Sequence, residues 1–374
     1  MIRAYLDHAA TTPMRAEAVA AMLPLLTNTF GNPSGAHAAA RAARQVVEEA
    51  RDVMAGVLGC APAEIIFTSG GTEADNLAIA GVRASRPGAV LCSAAEHHAV
   101  LHAVRAIGGT TVATDTLGRV DLDALAAAVS PDTALVSVML ANNQTGVVQR
   151  LDEAASVVKA NAPDAIVHTD AVAAFSWLDV DVLAAPADLV SVSAHKFGGP
   201  KGVGALVARE GVPLHPQILG GGQERERRSG THNVAGIAAM AAAAEATVRD
   251  RAATVARVGG LRDTLAARIV DAVPGVVRTA PSSVTTAGAC HLRFDGVESE
   301  ALLVLLDDMG VCASAGSSCA SGALEPSHVL TAMGVSPGSS AGALRLSLGW
   351  TSTVADVDAA VAAVTKAVEQ LRTT

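Results

Sequence analysis

Aromatic residues are scarce in this chain: one Tyr, two Trp and five Phe, or 2% of 374 residues. A nucleic-acid binder needs stacking rings and a basic face. Both are missing, because 27 basic residues stand against 36 acidic ones for a net charge of −9. Long apolar runs are missing too. Stretches such as Val234 to Ala244 and Ala301 to Leu306 fall short of the roughly 18 residues a membrane span requires. Arg3 and Asp7 sit where a secretory signal would place its apolar segment. The chain is therefore expected in the cytoplasm, with no nucleic-acid partner and no membrane. Its five cysteines, at 60, 92, 290, 312 and 319, form no CxxC pair. This argues against a zinc site and against a disulfide framework, and no metal is expected. Two readings stay open: five small buried hydrophobes, or one reactive thiol among them.

What is present is apolar and helix-friendly. Hydrophobic residues are 50% and charged residues 17%, which excludes general disorder. Strands are predicted at 64–68, 89–93, 133–140, 165–169, 189–193 and 204–208, and helices at 37–58, from 73 onward, 122–129, 151–161 and 234–250. Their alternation predicts an α/β fold with a mostly parallel sheet covered on both faces. The pattern changes after about residue 255. A helix is expected at 251–272, a strand at 289–294, a helix at 298–309, a Gly/Ser/Ala-rich stretch at 313–322, a strand at 344–348 and a helix at 353–371. The expected division is a large domain, 16–255, and a smaller α+β domain made of 1–15 and 256–374.

Ligands of parallel α/β sheets bind beyond the carboxyl ends of the strands, so residues just after each strand carry most information. Ser69-Gly70-Gly71-Thr72-Glu73 opens a helix after the 64–68 strand. Such a turn can cradle a phosphate on free N–H groups; an ordinary turn with an N-cap has the same look. Asp170 ends the 165–169 strand. A carboxylate there either caps the next helix or pairs with a buried cation, such as the protonated ring nitrogen of a pyridoxal cofactor. Lys196 ends an apolar strand and precedes Phe197-Gly198-Gly199-Pro200. Desolvation makes a lysine amine nucleophilic, as Schiff-base chemistry requires. Together with Asp170 and the 69–72 turn, it reads as a cofactor lysine.

At these residues the sequence resembles the class V, fold-type I pyridoxal-phosphate enzymes, and more narrowly the cysteine desulfurases of the NifS/IscS type. The resemblance runs in order through Tyr5 to Pro13, Phe30-Gly31-Asn32-Pro33-Ser34, Phe67 to Asn76, Glu96 to Val100 and Asn142 to Gly146. It continues through His168 to Ala171, Ser193 to Lys196, Gly220 to Arg225, Arg228 to Thr231, Ser317 to Ser321 and Leu344 to Gly349. It implies a sheet of the seven-stranded type and pyridoxal 5'-phosphate as cofactor. Lys196 would hold the cofactor as a Schiff base, and Asp170 would pair with its ring nitrogen. Gly71, Thr72, Ser193 and His195 would bind its phosphate, with Thr231 reaching over from the partner in a homodimer. Asn143 would lie near its phenolic oxygen, and His97 would lie over its ring and assist proton transfers. Arg345 and Asn32 would receive the substrate carboxylate. Cys319, among small residues, would be the nucleophile that takes sulfur from L-cysteine as a persulfide. An Fe–S scaffold or a thiolation protein would accept that sulfur. Cys312 is read as structural.

Two departures stand out. Ala173 occupies a position where the family commonly has a Gln, and Gln144 replaces a frequent Glu. A small-substrate class V aminotransferase or a selenocysteine lyase would share the fold, and a catalytically silent sulfur-transfer partner is the alternative of another kind.

Overall fold

The computed structural model describes residues 4–316 and 327–373. A seven-stranded sheet runs in the order Ile65–Thr68, Gly204–Ala208, Leu189–Ser193, Ile166–Asp170, Thr133–Ser137, Ala89–Ser93 and Thr110–Val112. Neighbours among the last five are parallel. Gly204–Ala208 runs against both of its neighbours. The reason is the connection: a parallel return needs a crossover, usually through a helix, and only residues 194–203 separate this strand from Leu189–Ser193.

Side chains alternate between two buried faces. Ile66, Val90, Cys92, Leu135 and Leu206 pack with the helices Gly71–Ser85 and His98–Ala106. Ile65, Phe67, Leu91, Val136 and Val207 pack on the opposite side with the helices Ala38–Leu58 and Leu151–Asn161. A sheet buried on both faces reads as continuous apolar runs, which is why its central strands are legible in the sequence.

A second hydrophobic core lies around a three-stranded antiparallel sheet ordered Ala343–Ser347, Ala289–Phe294, Val276–Arg278. Leu302, Leu306, Val357 and Val364 from two helices fill it, together with Ala4 and Leu6 from the start of the chain. Ala4–Tyr5 pairs in parallel with Val311–Cys312. One helix, Val234–Ala272, spans 39 residues and links the cores. Ile237 and Met240 belong to the first core, and Val258, Leu265 and Ile269 to the second. The sequence pattern suggested two helices, at 234–250 and 251–272. The break was in the buried face, which changes from one core to the other, and not in the backbone. The predicted strand at 133–140 is also shorter, ending at Ser137, and Glu64 belongs to a single 3-10 turn before its strand. Among the described residues no helix is long and apolar enough to cross a membrane.

Gly204 ties the sheet to the turn at 69–72. A Cβ there would lie 2.7 Å from the Gly70 carbonyl carbon and 2.7 Å from the Val192 oxygen. Both obstacles are backbone and cannot rotate away. Gly204→Ala is expected to destabilise the protein by about 1–3 kcal/mol, in the range of overpacked cores. Urea unfolding checks this, and a change within about 0.5 kcal/mol, the ordinary surface effect, would contradict the packing described here.

Candidate active site

The carboxyl ends of the central strands open into a cleft of about 180 Å³. The first strand delivers the turn into the helix Gly71–Ser85. The Thr68 hydroxyl donates to the Gly70 carbonyl at 2.9 Å, and the Ser69 N–H donates to Glu73 at 2.8 Å. Arg228 holds Glu73 from behind at 2.7 Å. The first helical N–H groups have no intrahelical partner, so Gly71 and Thr72 present donors and the positive helix end to the cleft. A Cβ on Gly71 would meet a Val172 methyl at 2.7 Å and force that side chain to shift. Ser193 and His195 line the same wall. Helix end, hydroxyls and imidazole together form a bowl suited to an anion.

Lys196 closes the 3-10 turn Ala194–Lys196, just past the strand Leu189–Ser193. Its backbone is fixed by the buried Phe197, whose ring packs on Phe175 at 4.3 Å between centroids. The amine lines the cleft and donates to the carbonyls of Ala9 and Ala10, the latter at 2.9 Å. The ordinary alternative, a lysine at a strand end facing bulk water, does not describe this side chain.

Asp170 is 5% exposed, at the end of Ile166–Asp170. One oxygen accepts the Val172 N–H at 2.8 Å. Burial raises its pKa to about 6, against the lowering effects of that N–H and of Lys196. Beneath it lies a buried polar layer. His168 contacts Ser137 at 2.8 Å and Ser191 at 3.0 Å, and burial drops its pKa to about 3, so the ring is neutral. Asp75 lies 3.6 Å from that ring, and burial first, then Asp170, raises its pKa well above the usual range. Glu96 is fully buried, accepts the Met139 N–H, and is likewise raised, mainly by burial. The layer thus withholds negative charge below Asp170, while the cleft side stays open to a cation.

His97 caps the helix His98–Ala106, with Nδ1 accepting the Ala99 N–H at 3.2 Å. Burial, then the charge of Lys196, lowers its pKa to about 4. The ring is neutral at pH 7 and carries its proton on Nε2. His195 is similar, at about 4 for burial and then Lys196 and Lys201. Asn143 reaches the cleft because Asn142 folds the turn, accepting the N–H groups of Gln144 and Thr145 at 2.9 Å each. Arg345 is 1% exposed and donates to Asp7 at 2.8 Å, to the Asn143 carbonyl at 3.2 Å and to the Gly316 carbonyl at 2.9 Å. Its Nε is buried and has no hydrogen-bond partner among the described residues.

Asp75, His97 and Asp170 offer ligand atoms within 4.8 Å of one another, a spacing compatible with a metal ion. The size of the cleft, and an anion bowl at one end of it, point instead to an elongated organic group.

The aminotransferase class-V profile matches residues 4–360. The chain belongs to the aminotransferase class-V family. Within class V it groups with the NifS/IscS-type cysteine desulfurases. It is 44% identical to the IscS-like cysteine desulfurase of Mycobacterium tuberculosis, over 99% of this chain and 97% of that protein. It is 41% identical to cysteine desulfurase IscS of Dictyoglomus turgidum, over 99% and 95%. A solved NifS-like protein superposes with a TM-score of 0.92 at 33% identity, covering 99% of this chain and all of the other. A structure of SspA in complex with cysteine superposes at 0.79 with 30% identity, covering 94% of this chain and 100% of that one.

In this class-V chain, Gly71, Thr72, His97, Asn143, Asp170, Ser193, His195, Lys196 and Arg345 all line one cleft. Asn32 does not; Thr231 was expected at a partner subunit's cleft, and it lies away from the cleft of its own chain. Asn32 is exposed, and its side-chain oxygen is spent on the Ser34 N–H at 3.0 Å. Thr231 is exposed on a separate loop. That loop is anchored by Glu224, which accepts Arg51 at 2.9 Å, His232 at 2.8 Å and the Phe67 N–H at 2.9 Å. The anchor sustains three successive left-handed residues, Glu224, Arg225 and Glu226, at φ 48, 56 and 65, each costing about 1–3 kcal/mol. Cys319 lies outside the described residues. Cys312 is half-buried in its short strand, with burial, then Asp307 and Asp7, raising its thiol pKa.

The sequence reasoning missed Asp75, Glu96 and Asp7. All three stand within matched motifs, yet a carboxylate whose partner is distant in sequence gives no local signal. Gln144 receives an explanation. It accepts the Ser327 hydroxyl at 2.6 Å and contacts His291 at 3.3 Å, and a Cβ on Gly316 would collide with it. It therefore braces described residues on both sides of 317–326. Ala173 forms wall shared by the cleft and a smaller space bounded by Trp177 and Trp350.

The raised pKa of Asp170 has a thermodynamic consequence. Its protonated form stabilises the fold below the ordinary value of 3.8, and this contribution is lost as pH rises through about 6. In ligand-free protein, wild type is expected to lose stability relative to Asp170→Asn over that window, by about 1.4 kcal/mol per pH unit. Urea unfolding of both proteins across the window checks this; a pH-independent difference would contradict it.

Proposed function

We propose that the chain is a pyridoxal-phosphate-dependent cysteine desulfurase that takes sulfur from L-cysteine, releases L-alanine and leaves a persulfide on Cys319. The observation that carries this reading is the meeting of Lys196, Asp170 and the Gly71–Thr72 turn in one cleft, in a chain of the NifS/IscS type. The residues fit the cofactor. A bowl of N–H groups and hydroxyls suits its phosphate, a buried carboxylate lacking a hydrogen-bonded cation suits its ring nitrogen, and an amine in the same cleft suits its aldehyde. Gly71, Thr72, Ser193 and His195 would hold the phosphate, with Thr231 supplied by a second copy in a homodimer. Asn143 would serve the phenolic edge and His97 the ring face. When bound, the cofactor supplies an electron sink that weakens bonds at an amino acid's Cα and beyond.

The protein's own groups do the rest. Arg345 binds the carboxylate of cysteine through its guanidinium fork. Asp7 fixes the orientation of that fork. Lys196 moves the proton at Cα, and neutral His97 assists. Cys319, as a thiolate, bonds to the substrate sulfur. The C–S bond breaks, its carbon gains a proton, and alanine leaves with one sulfur retained on Cys319. An acceptor of the Fe–S scaffold or thiolation type then removes that sulfur, in the cytoplasm. We read the two hydrophobic cores as two domains, 16–255 and 1–15 with 256–374.

Holoenzyme given cysteine and no keto acid is expected to yield equal amounts of alanine and sulfide in the presence of a reducing thiol. Without the thiol, mass spectrometry should find one extra sulfur on the peptide containing Cys319. Cys319→Ala should keep the visible cofactor band and release no sulfide. Normal desulfuration by Cys319→Ala would overturn the mechanism, and a requirement for a keto acid would indicate an aminotransferase.

A further inference from the structure

Lys196 ends a single 3-10 turn, Ala194–Lys196, and the chain then passes through Phe197 and Gly198 in turns that belong to no helix or strand. Buried carbonyls outside regular structure still need donors. Three hydroxyls supply them to three consecutive residues. Thr12 donates to the His195 carbonyl at 2.7 Å, Ser176 to the Lys196 carbonyl at 2.9 Å and Thr247 to the Phe197 carbonyl at 3.0 Å. The next carbonyl, that of Gly198, accepts the Arg15 N–H at 2.8 Å.

The three hydroxyls come from separate parts of the molecule. Thr12 stands on the segment whose Ala9 and Ala10 carbonyls accept from the Lys196 amine. It works on both sides of the lysine, because its hydroxyl also accepts the Gly198 N–H at 3.1 Å. Its own N–H donates to the His195 carbonyl as well, at 3.1 Å. Ser176 follows Phe175, whose ring packs on Phe197, so hydroxyl and ring hold neighbouring residues of one turn. Thr247 is 3% exposed within the helix Val234–Ala272. A threonine hydroxyl there can return to a carbonyl of its own preceding turn; this one reaches across to Phe197. The path of the backbone at Lys196 is thus set by side chains from three directions. A reacting group must be held to within about 0.5 Å, and supporting hydrogen bonds of this kind are the means.

We infer that Thr12, Ser176 and Thr247 are positioning residues that fix the backbone of Lys196, and through it the place of the amine; this rests on the function proposed above, in which Lys196 moves the proton at Cα. Hydroxyls that merely satisfy buried carbonyls would affect stability alone. Positioning hydroxyls govern the rate of that proton transfer and leave substrate binding, the task of Arg345, unchanged.

Exchange of the Cα hydrogen of L-alanine in D₂O, followed by NMR on the holoenzyme, isolates the proton transfer from the step at Cys319. Thr12→Val and Ser176→Ala each remove a hydroxyl with little change of shape. Ser176 is half-buried, so its replacement spares the fold should Thr12→Val not. Exchange at saturating alanine should fall by at least about tenfold in both, since a misplacement of about 1 Å costs on the order of a hundredfold. The alanine concentration at half-saturation should keep its wild-type value. Ser156→Ala is the control: that hydroxyl is exposed and donates to the Asp152 carbonyl of its own helix, and its loss should leave exchange unchanged. Wild-type exchange rates in both Thr12→Val and Ser176→Ala overturn the inference, as does a change confined to half-saturation or to urea stability. A wild type with no borohydride-reducible imine at Lys196 overturns the proposed function itself, and this inference with it.

Discussion

A carboxylate at the end of the central strand, shut away from water, constrains everything around it. Asp170 is almost fully buried and has one N–H donor within hydrogen-bond distance. Burying an ionised carboxyl is costly unless a cation meets it. The layer beneath supplies none: His168 is neutral, and Asp75 and Glu96 are pushed toward their neutral forms. Compensation must come from the cleft. Under the proposed function, the protonated ring nitrogen of the cofactor would satisfy both groups at once.

The rest of the cleft follows from sheet geometry. Parallel strands deliver their carboxyl ends to one side, so groups far apart in sequence arrive together. The Gly71 turn follows the edge strand Ile65–Thr68, Asp170 ends a central strand, and Lys196 follows the strand between that one and Gly204–Ala208. Arg345 comes from the second core, and Asp7 from the start of the chain clamps it at 2.8 Å. The cleft is therefore built where two cores meet, with a guanidinium on one side and an amine on the other. Under the proposed function, the guanidinium would meet the substrate carboxylate and the amine would carry the cofactor.

Much of this was legible in the sequence, for physical reasons. Strands buried on both faces, such as Leu189–Ser193, leave uninterrupted apolar runs. Lys196 and Asp170 stand out because charged residues rarely end such runs. Short edge pieces were missed: Thr110–Val112 has two exposed threonines, and Ala4–Tyr5 and Val311–Cys312 are only two residues each. The 39-residue helix reads as two in the sequence, because its buried residues belong to one core up to Ala244 and to another from Val258. Asp75 and Glu96 were missed because their importance lies in burial, which motif spacing does not encode. The resemblance implies that Asn32 receives the substrate carboxylate; in this chain it is exposed, and its Oδ1 accepts the Ser34 N–H.

Borohydride reduction of the purified protein, followed by peptide mapping, tests the central claim most directly. A reduced pyridoxyl group on Lys196 alone, abolished in Lys196→Ala and weakened in Asp170→Asn, is the predicted result. A colourless protein that takes up no added pyridoxal phosphate, or a label spread over surface lysines with Lys196 unmodified, would contradict the account.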